Sequence, residues 1–283
     1  MSQPGMAEKT KVTGKGAPSA ALAIQRFIVI NDKGGIGKTI IIHGLSLELT
    51  SAGVDHLVIE AESDPRLQRV LGKDRVIFHA LSEDSLRDIR RNPDLVAEYW
   101  DAIMEEFMEA VRLLDMGANA SKLFWNWWDS GSGRLILGDG TGTGVLIVTT
   151  YEVEAMRLAR EALRRAAEEM PNARLFLVVN EHQGTLPATH SALDNLCAAA
   201  GDRAGEVERI ILPRCAAPAW PVMFGMGKPL NELATLRPQD LQPHGYRLGA
   251  AARSVADVGE WLAEWRPRIR RILISAGLVR AQG

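Results

Sequence analysis

The chain has 283 residues, 46% hydrophobic and 24% charged, with a net charge of −2. These values match the average soluble globular protein and exclude a fibrous or largely disordered chain; the length suits one large α/β domain or two small ones. The near-zero charge argues against a surface coated in basic residues for nucleic acid, although a local basic patch stays open.

Residues 1–24, rich in Gly, Ser, Ala, Thr and Lys, read as a flexible leader without the apolar stretch of a secretory signal. Residues 25–283 then read as one domain. Phe27-Ile28-Val29-Ile30 is a short apolar run of the kind that forms a strand buried on both faces. A glycine loop follows, and Thr39 to Ala52 predicts a helix ending at Gly53. His56 to Ile59 predicts a second strand, Asp94 to Ala110 a helix, and Val111 to Leu114 a third strand. Gly144 to Thr149 and Leu175 to Val179 predict two more, separated by a charged helix from about Glu152 to Met170, and Arg209 to Leu212 a sixth. Strands alternating with helices predict an α/β fold with a mostly parallel sheet covered on both faces. No apolar run reaches the roughly 18 residues of a membrane span. The two cysteines, Cys197 and Cys215, suit a reducing, cytoplasmic setting and supply neither a disulfide framework nor a zinc or iron–sulfur site.

Strand, glycine-rich turn and helix form the setting of a phosphate-binding loop. Backbone N–H groups of the turn converge on phosphate oxygens and the helix N-terminus adds a favourable dipole. Gly34, Gly35 and Gly37 allow close backbone approach, with Ile36 and Ile40 flanking the bound group. Lys38 is placed to bridge the β- and γ-phosphates, and the Thr39 hydroxyl to ligate Mg²⁺.

The loop departs from the usual pattern at Asp32 and Lys33. Lys33-Gly34-Gly35-Ile36-Gly37-Lys38-Thr39 resembles the deviant Walker motif of the ParA/MinD family of P-loop ATPases. The resemblance implies a P-loop NTPase fold, ATP and Mg²⁺ as ligands, and an ATP-dependent homodimer in which Lys33 reaches the partner's nucleotide. It also implies an activator or cargo protein, and a DNA or membrane surface as a further partner. A lysine so placed neutralises charge on the transferring phosphoryl group.

Three acids, Glu60, Glu62 and Asp64, follow the second strand at alternate positions, so they can face one site. The family carries Asp-x-Asp here. Two registers fit, Glu60 with Glu62 or Glu62 with Asp64, so Glu62 is the first choice to position the attacking water and Asp64 the second. Leu113-Leu114-Asp115 has the form of a strand ending in its acid, with Asp115 expected to hold Mg²⁺ through water. Met116-Gly117-Ala118-Asn119 is then the expected γ-phosphate switch. Asn180, Pro213 and Arg214 resemble the family's base-contacting strand end and loop, and Gly227-Lys228-Pro229-Leu230 the segment after it.

Two segments carry further expectations. Trp125, Trp127 and Trp128 read as core or as a nucleotide-dependent interface, the latter failing if Trp127 and Trp128 are buried in one chain. Val258, Trp261, Leu262, Trp265, Ile269, Ile272 and Leu273 recur at helical spacing among Arg266, Arg268, Arg270 and Arg271, with a kink expected at Pro267. That C-terminal amphipathic helix suits packing on the sheet, membrane binding or DNA binding.

The function expected is a slowly hydrolysing, dimeric ATP switch for partition or positioning of DNA or another cargo. A second reading is an accessory ATPase of conjugative transfer, because Leu114 to Asn119 and Val178 to Gly184 are similar to the TraL proteins. A metabolic ligase of the same fold and a nucleotide-binding scaffold with little hydrolysis stay open.

Overall fold

Seven parallel strands form one sheet: β1 (Arg26–Ile30), β2 (Leu57–Glu62), β3 (Val76–Ala80), β4 (Arg112–Met116), β5 (Thr143–Thr149), β6 (Arg174–Asn180) and β7 (Glu208–Leu212). Their order is β3-β2-β4-β1-β5-β6-β7, with every pairing parallel. The computed structural model describes residues 24–281 apart from 82–83, 85–86, 89–91, 93, 119 and 186–190. All but the last residue of the expected leader, and Asn119 of the expected switch, therefore lie outside the described residues.

Helices cover both faces, as a parallel sheet requires. The helices are α1 (Lys38–Ser51), α2 (Arg66–Leu71), α3 (Asp94–Phe107), α4 (Ala120–Asp129), α5 (Ser132–Leu137), α6 (Val153–Glu169), α7 (Ser191–Cys197), α8 (Trp220–Gly225), α9 (Leu230–Leu233) and α10 (Leu248–Ser275). The two-residue period of a strand splits β1 between two cores: Phe27 and Val29 pack with α1 and α10, while Ile28 and Ile30 pack with α3, α4 and α6. The six expected strands are present. The seventh, β3, was not expected: it is an edge strand of sequence VIFHA in which only Val76 is fully buried and the apolar residues stop at His79.

The C-terminal helix α10 packs on α1. Its apolar stripe, including Val258, Trp261, Trp265, Ile269 and Leu273, is buried. Full burial of such side chains stabilises by about 1.5–3 kcal/mol each, so this face is held by the domain and is not offered to a membrane. The helix runs unbroken through Pro267, where a kink was expected. Its arginines turn back onto the domain: Arg266 and Arg270 meet the buried Glu48 at 2.5 and 3.3 Å, Arg271 meets Glu208 at 3.0 Å, and Arg268 donates to the Ile211 carbonyl. Among the described residues no helix is long and apolar enough to cross a membrane.

The aromatic segment forms α4. Trp127 and Trp128 are essentially without solvent exposure, and their indole N–H groups donate to Asp101 (2.8 Å) and Glu169 (2.9 Å). Of the two readings the core one holds and the interface one fails: Phe124, Trp127 and Trp128 share one helical face and fill the space between sheet and helices.

Candidate nucleotide site

The loops that leave the carboxyl ends of β1, β2, β4, β6 and β7 meet along one edge of the sheet, the place where open α/β sheets bind ligands. They enclose a cleft of about 500 Å³.

Its floor is the turn between β1 and α1. Asn31, fully buried, fixes the start of that turn: its amide donates to the carbonyls of Val148 (2.7 Å) and Ala155 (3.1 Å), and its Oδ1 accepts the N–H of Lys33 (2.8 Å). Gly37 then heads α1 at φ +91°, and a Cβ there would lie 2.2 Å from the Asn180 amide nitrogen. The conformation and the close approach both demand glycine. Helix α1 begins with no side-chain cap and no acid in its first turn, so its leading N–H groups are left for an anion. Lys38 is buried, and its ammonium donates to the loop's own carbonyls at Asn31 (2.8 Å) and Lys33 (3.0 Å). Burial lowers its pKa, opposed by the charges of Asp115, Glu62 and Asp32.

Asp115, next to last in β4, is 1% exposed, and neither carboxylate oxygen has a hydrogen-bond partner of good geometry. Burial pushes its pKa up to about 7, while the nearby Thr39 hydroxyl and Lys38 ammonium pull the other way. A buried carboxylate without a partner, next to the loop's threonine, fits a hard cation such as Mg²⁺. No group of three or more His, Cys, Asp or Glu side chains among the described residues is arranged to hold a metal, so such a cation would need oxygens from its ligand.

The three acids after β2 separate. Glu60 is buried and accepts the N–H groups of Leu67 (2.8 Å) and Gln68 (3.1 Å), which cap α2; burial raises its pKa. Glu62 lines the cleft, packed so tightly over Gly117 that a Cβ there would lie 2.6 Å from its carboxyl carbon. Asp64, the second choice for positioning water, lies outside the lining and is ion-paired with Arg69 (2.5 Å) and Arg66 (3.4 Å). A strand's alternation ends where the chain turns into α2, which is why Asp64 does not follow Glu62.

Gly34, Gly35, Ile36, Gly37, Thr39 and Ile40 all line the cleft with Lys38. Lys33 does not; its ammonium is 2.6 Å from Glu152 at the head of α6, both side chains about one-third exposed. Asn180 lines the cleft but donates its amide to the Ile36 carbonyl (3.0 Å), holding the loop. Pro213 lines it too, and its carbonyl accepts the Trp261 indole N–H (2.8 Å). Arg214 is exposed and outside the lining. Leu230, in the segment expected to follow the base pocket, donates its N–H to His43, whose pKa burial lowers to about 4.

Neither a family model nor a curated protein matches the chain. Among solved structures it aligns with an ATP complex of a McdA variant from Cyanothece at a TM-score of 0.52, covering 92% of this chain and 99% of that one, at 11% identity. The two chains share a fold. MinD and the MinC:MinD cell division protein complex, both from Aquifex aeolicus, align at TM-scores of 0.42 and 0.45 with 13% and 16% identity, each over 84% of this chain and 96% and 95% of theirs. The sheet expected from the sequence as mostly parallel is parallel throughout.

Several lining residues were not singled out from the sequence. Arg66, paired with Asp64, is one of them, and His182, which follows β6 and whose pKa is lowered by burial, is another. Trp220 and Phe224 line the cleft together with Trp261 and Trp265, which the sequence marked only as part of the apolar stripe of α10. A basic residue right after Asp64-Pro65 was a signal within reach. The aromatic residues come from two different helices, α8 and α10, and only their packing brings them to the site.

Proposed function

We propose that the chain binds Mg·ATP at this cleft and works as a switch that dimerises around two nucleotides, hydrolyses them slowly and so positions DNA or another cargo. The observation that carries this reading is the uncapped start of α1 with Lys38 inside the loop and the unpartnered Asp115 beside Thr39. Phosphate oxygens would take the place of the two loop carbonyls that Lys38 now contacts. Thr39 and Asp115 would hold Mg²⁺, which supplies positive charge against the β- and γ-phosphates. Glu62 is the acid left facing the cleft to orient water.

Lys33 supports the dimeric part of the proposal. An ion pair about one-third exposed, such as Lys33–Glu152, contributes about 0–1 kcal/mol, so little opposes its release toward a phosphate on a second copy. The departure from Asp to Glu at residue 62, with Asp64 turned away, favours a second reading in which the protein binds nucleotide and hydrolyses it hardly at all.

Light scattering on the wild type and Lys33→Ala, each with ADP and with ATP plus Mg²⁺, tests the proposal. The expected result is a doubled mass with ATP alone, lost in Lys33→Ala. A mass indifferent to nucleotide would sink the dimeric switch. Phosphate release followed over hours separates the slow ATPase from the non-hydrolysing scaffold.

A further inference from the structure

The cleft continues past the phosphate loop into an aromatic wall. Trp220 and Phe224 of α8 lie with ring centroids 5.3 Å apart, Trp220 and Trp261 of α10 lie 4.7 Å apart, and Trp261 and Trp265 lie 5.3 Å apart. The run climbs from the core to the rim: Trp265 and Trp261 are buried, Trp220 is half-buried and Phe224 is 44% exposed. Its inner end is rigid, because the Trp261 indole is bonded to the Pro213 carbonyl and Trp265 packs directly on Gly44 of α1. Core packing accounts for the inner two rings. It does not account for the exposed Phe224 or the uncovered part of Trp220 at a phosphate-binding cleft, since large apolar groups gathered at a cleft mark ligand contact.

Polar groups that would read the edge of a base are few at this end. The Asn180 amide N–H is engaged by Ile36, the Pro213 carbonyl already accepts from Trp261, and Arg214 stands outside the lining. His182 lines the cleft with its Nδ1 buried and without a hydrogen-bond partner of good geometry, but an imidazole nitrogen donates or accepts according to its tautomer and so suits either purine edge. Discrimination by factors of ten thousand between bases needs hydrogen-bonding groups that the wrong base leaves unpaired, whereas stacking is tolerant because every base has a π-face.

Building on the phosphate-loop reading of the previous subsection, we infer that the base is held by stacking on the Trp220–Phe224 end of this wall. The cleft therefore takes purine nucleoside triphosphates ahead of pyrimidine ones by ring area, and separates adenine from guanine only weakly. Because the wall belongs to α8 and α10, the base joins these two helices to the phosphate loop.

Calorimetric titration of the full chain in Mg²⁺ with ATP, GTP, CTP and inorganic tripolyphosphate, for the wild type, Trp220→Ala and Phe224→Ala, tests this. ATP and GTP should bind within roughly tenfold of each other, and CTP roughly tenfold more weakly than either. Each variant should lose roughly tenfold in ATP affinity and nothing in tripolyphosphate affinity. Phe224 is exposed enough for its variant to fold even if Trp220→Ala does not. Tripolyphosphate binding as tightly as ATP, variants that bind ATP like the wild type, or GTP rejected more than about a hundredfold would overturn the stacking inference while leaving the phosphate site intact. Failure of all four probes to bind would overturn the phosphate-loop reading, and this inference with it.

Discussion

Two tryptophan-rich clusters sit on opposite faces of the sheet and do different things. On one face Trp100, Phe124, Trp127 and Trp128 are buried and in mutual contact. Trp125, beside them, is covered by the Arg165 guanidinium 4.4 Å from its ring centroid. On the other face Trp265 and Trp261 begin in the core, but the run ends with Trp220 and Phe224 open at the cleft. The first cluster is conspicuous in the sequence and structural in the molecule; the second is scattered in the sequence and lines the site. Aromatic density along a chain therefore says little about function, because three neighbours on one helical face are what a core needs. Aromatic residues left at a rim beside polar machinery are more informative.

The largest effect that sharpens this contrast is expected at Trp128→Ala. Truncating a fully buried tryptophan, with its bond to Glu169 lost, should cost about 3–5 kcal/mol in urea denaturation. The folded fraction should bind ATP like the wild type; a matching loss of affinity would break the division between the clusters. Gly44→Ala comes next. Helix propensity alone would make this change stabilising by about 1 kcal/mol. A Cβ at residue 44, however, would lie 2.2 Å from the Trp265 ring, so a net destabilisation of about 1–3 kcal/mol is expected, with weaker ATP binding. A stabilised variant with unchanged binding would show that the aromatic wall is not fixed against α1.

Asp115→Asn comes last, because its information lies in the pH dependence and not in a loss of stability. The carboxyl titrates near 7 in the folded chain and near 3.9 when unfolded, so the folded state holds the extra proton between those values. The stability this contributes is complete below about pH 4 and is lost as the pH rises to 7. In the absence of nucleotide, Asp115→Asn should therefore be more stable than the wild type at pH 8, with a flatter thermal midpoint between pH 5 and 8. Mg²⁺-dependent ATP affinity should rise from pH 6 to 8 in the wild type and be lost in the variant. A wild-type midpoint independent of pH over that range would remove Asp115 from its proposed role.

Much of the fold was legible because its signals are local. The apolar runs of β1, β2, β4, β5 and β6 stand out because central parallel strands are buried on both faces; β3 and β7 are the two edge strands, and of these only β7 was read from its apolar residues. The phosphate loop was legible because Gly34 to Thr39 are consecutive and one turn carries the whole constellation. Glu62 could be named and Asp64 could not be dismissed, since deciding between them required knowing where β2 ends and α2 begins. Asn31, Glu152 and the Trp220–Phe224 pair gave no local sign of their roles.

By itself the sequence determined the alternation of strands and helices, the glycine turn, and the apolar stripe of α10, because each depends on periodicity or on backbone freedom within a few residues. Strand order was decided only in the tertiary structure. Placing β4 between β1 and β2 sets Asp115 against Lys38, and packing α10 on α1 carries Trp261 to the carbonyl of Pro213. Such meetings depend on which buried faces fit together across the whole chain, and no short stretch of residues encodes them.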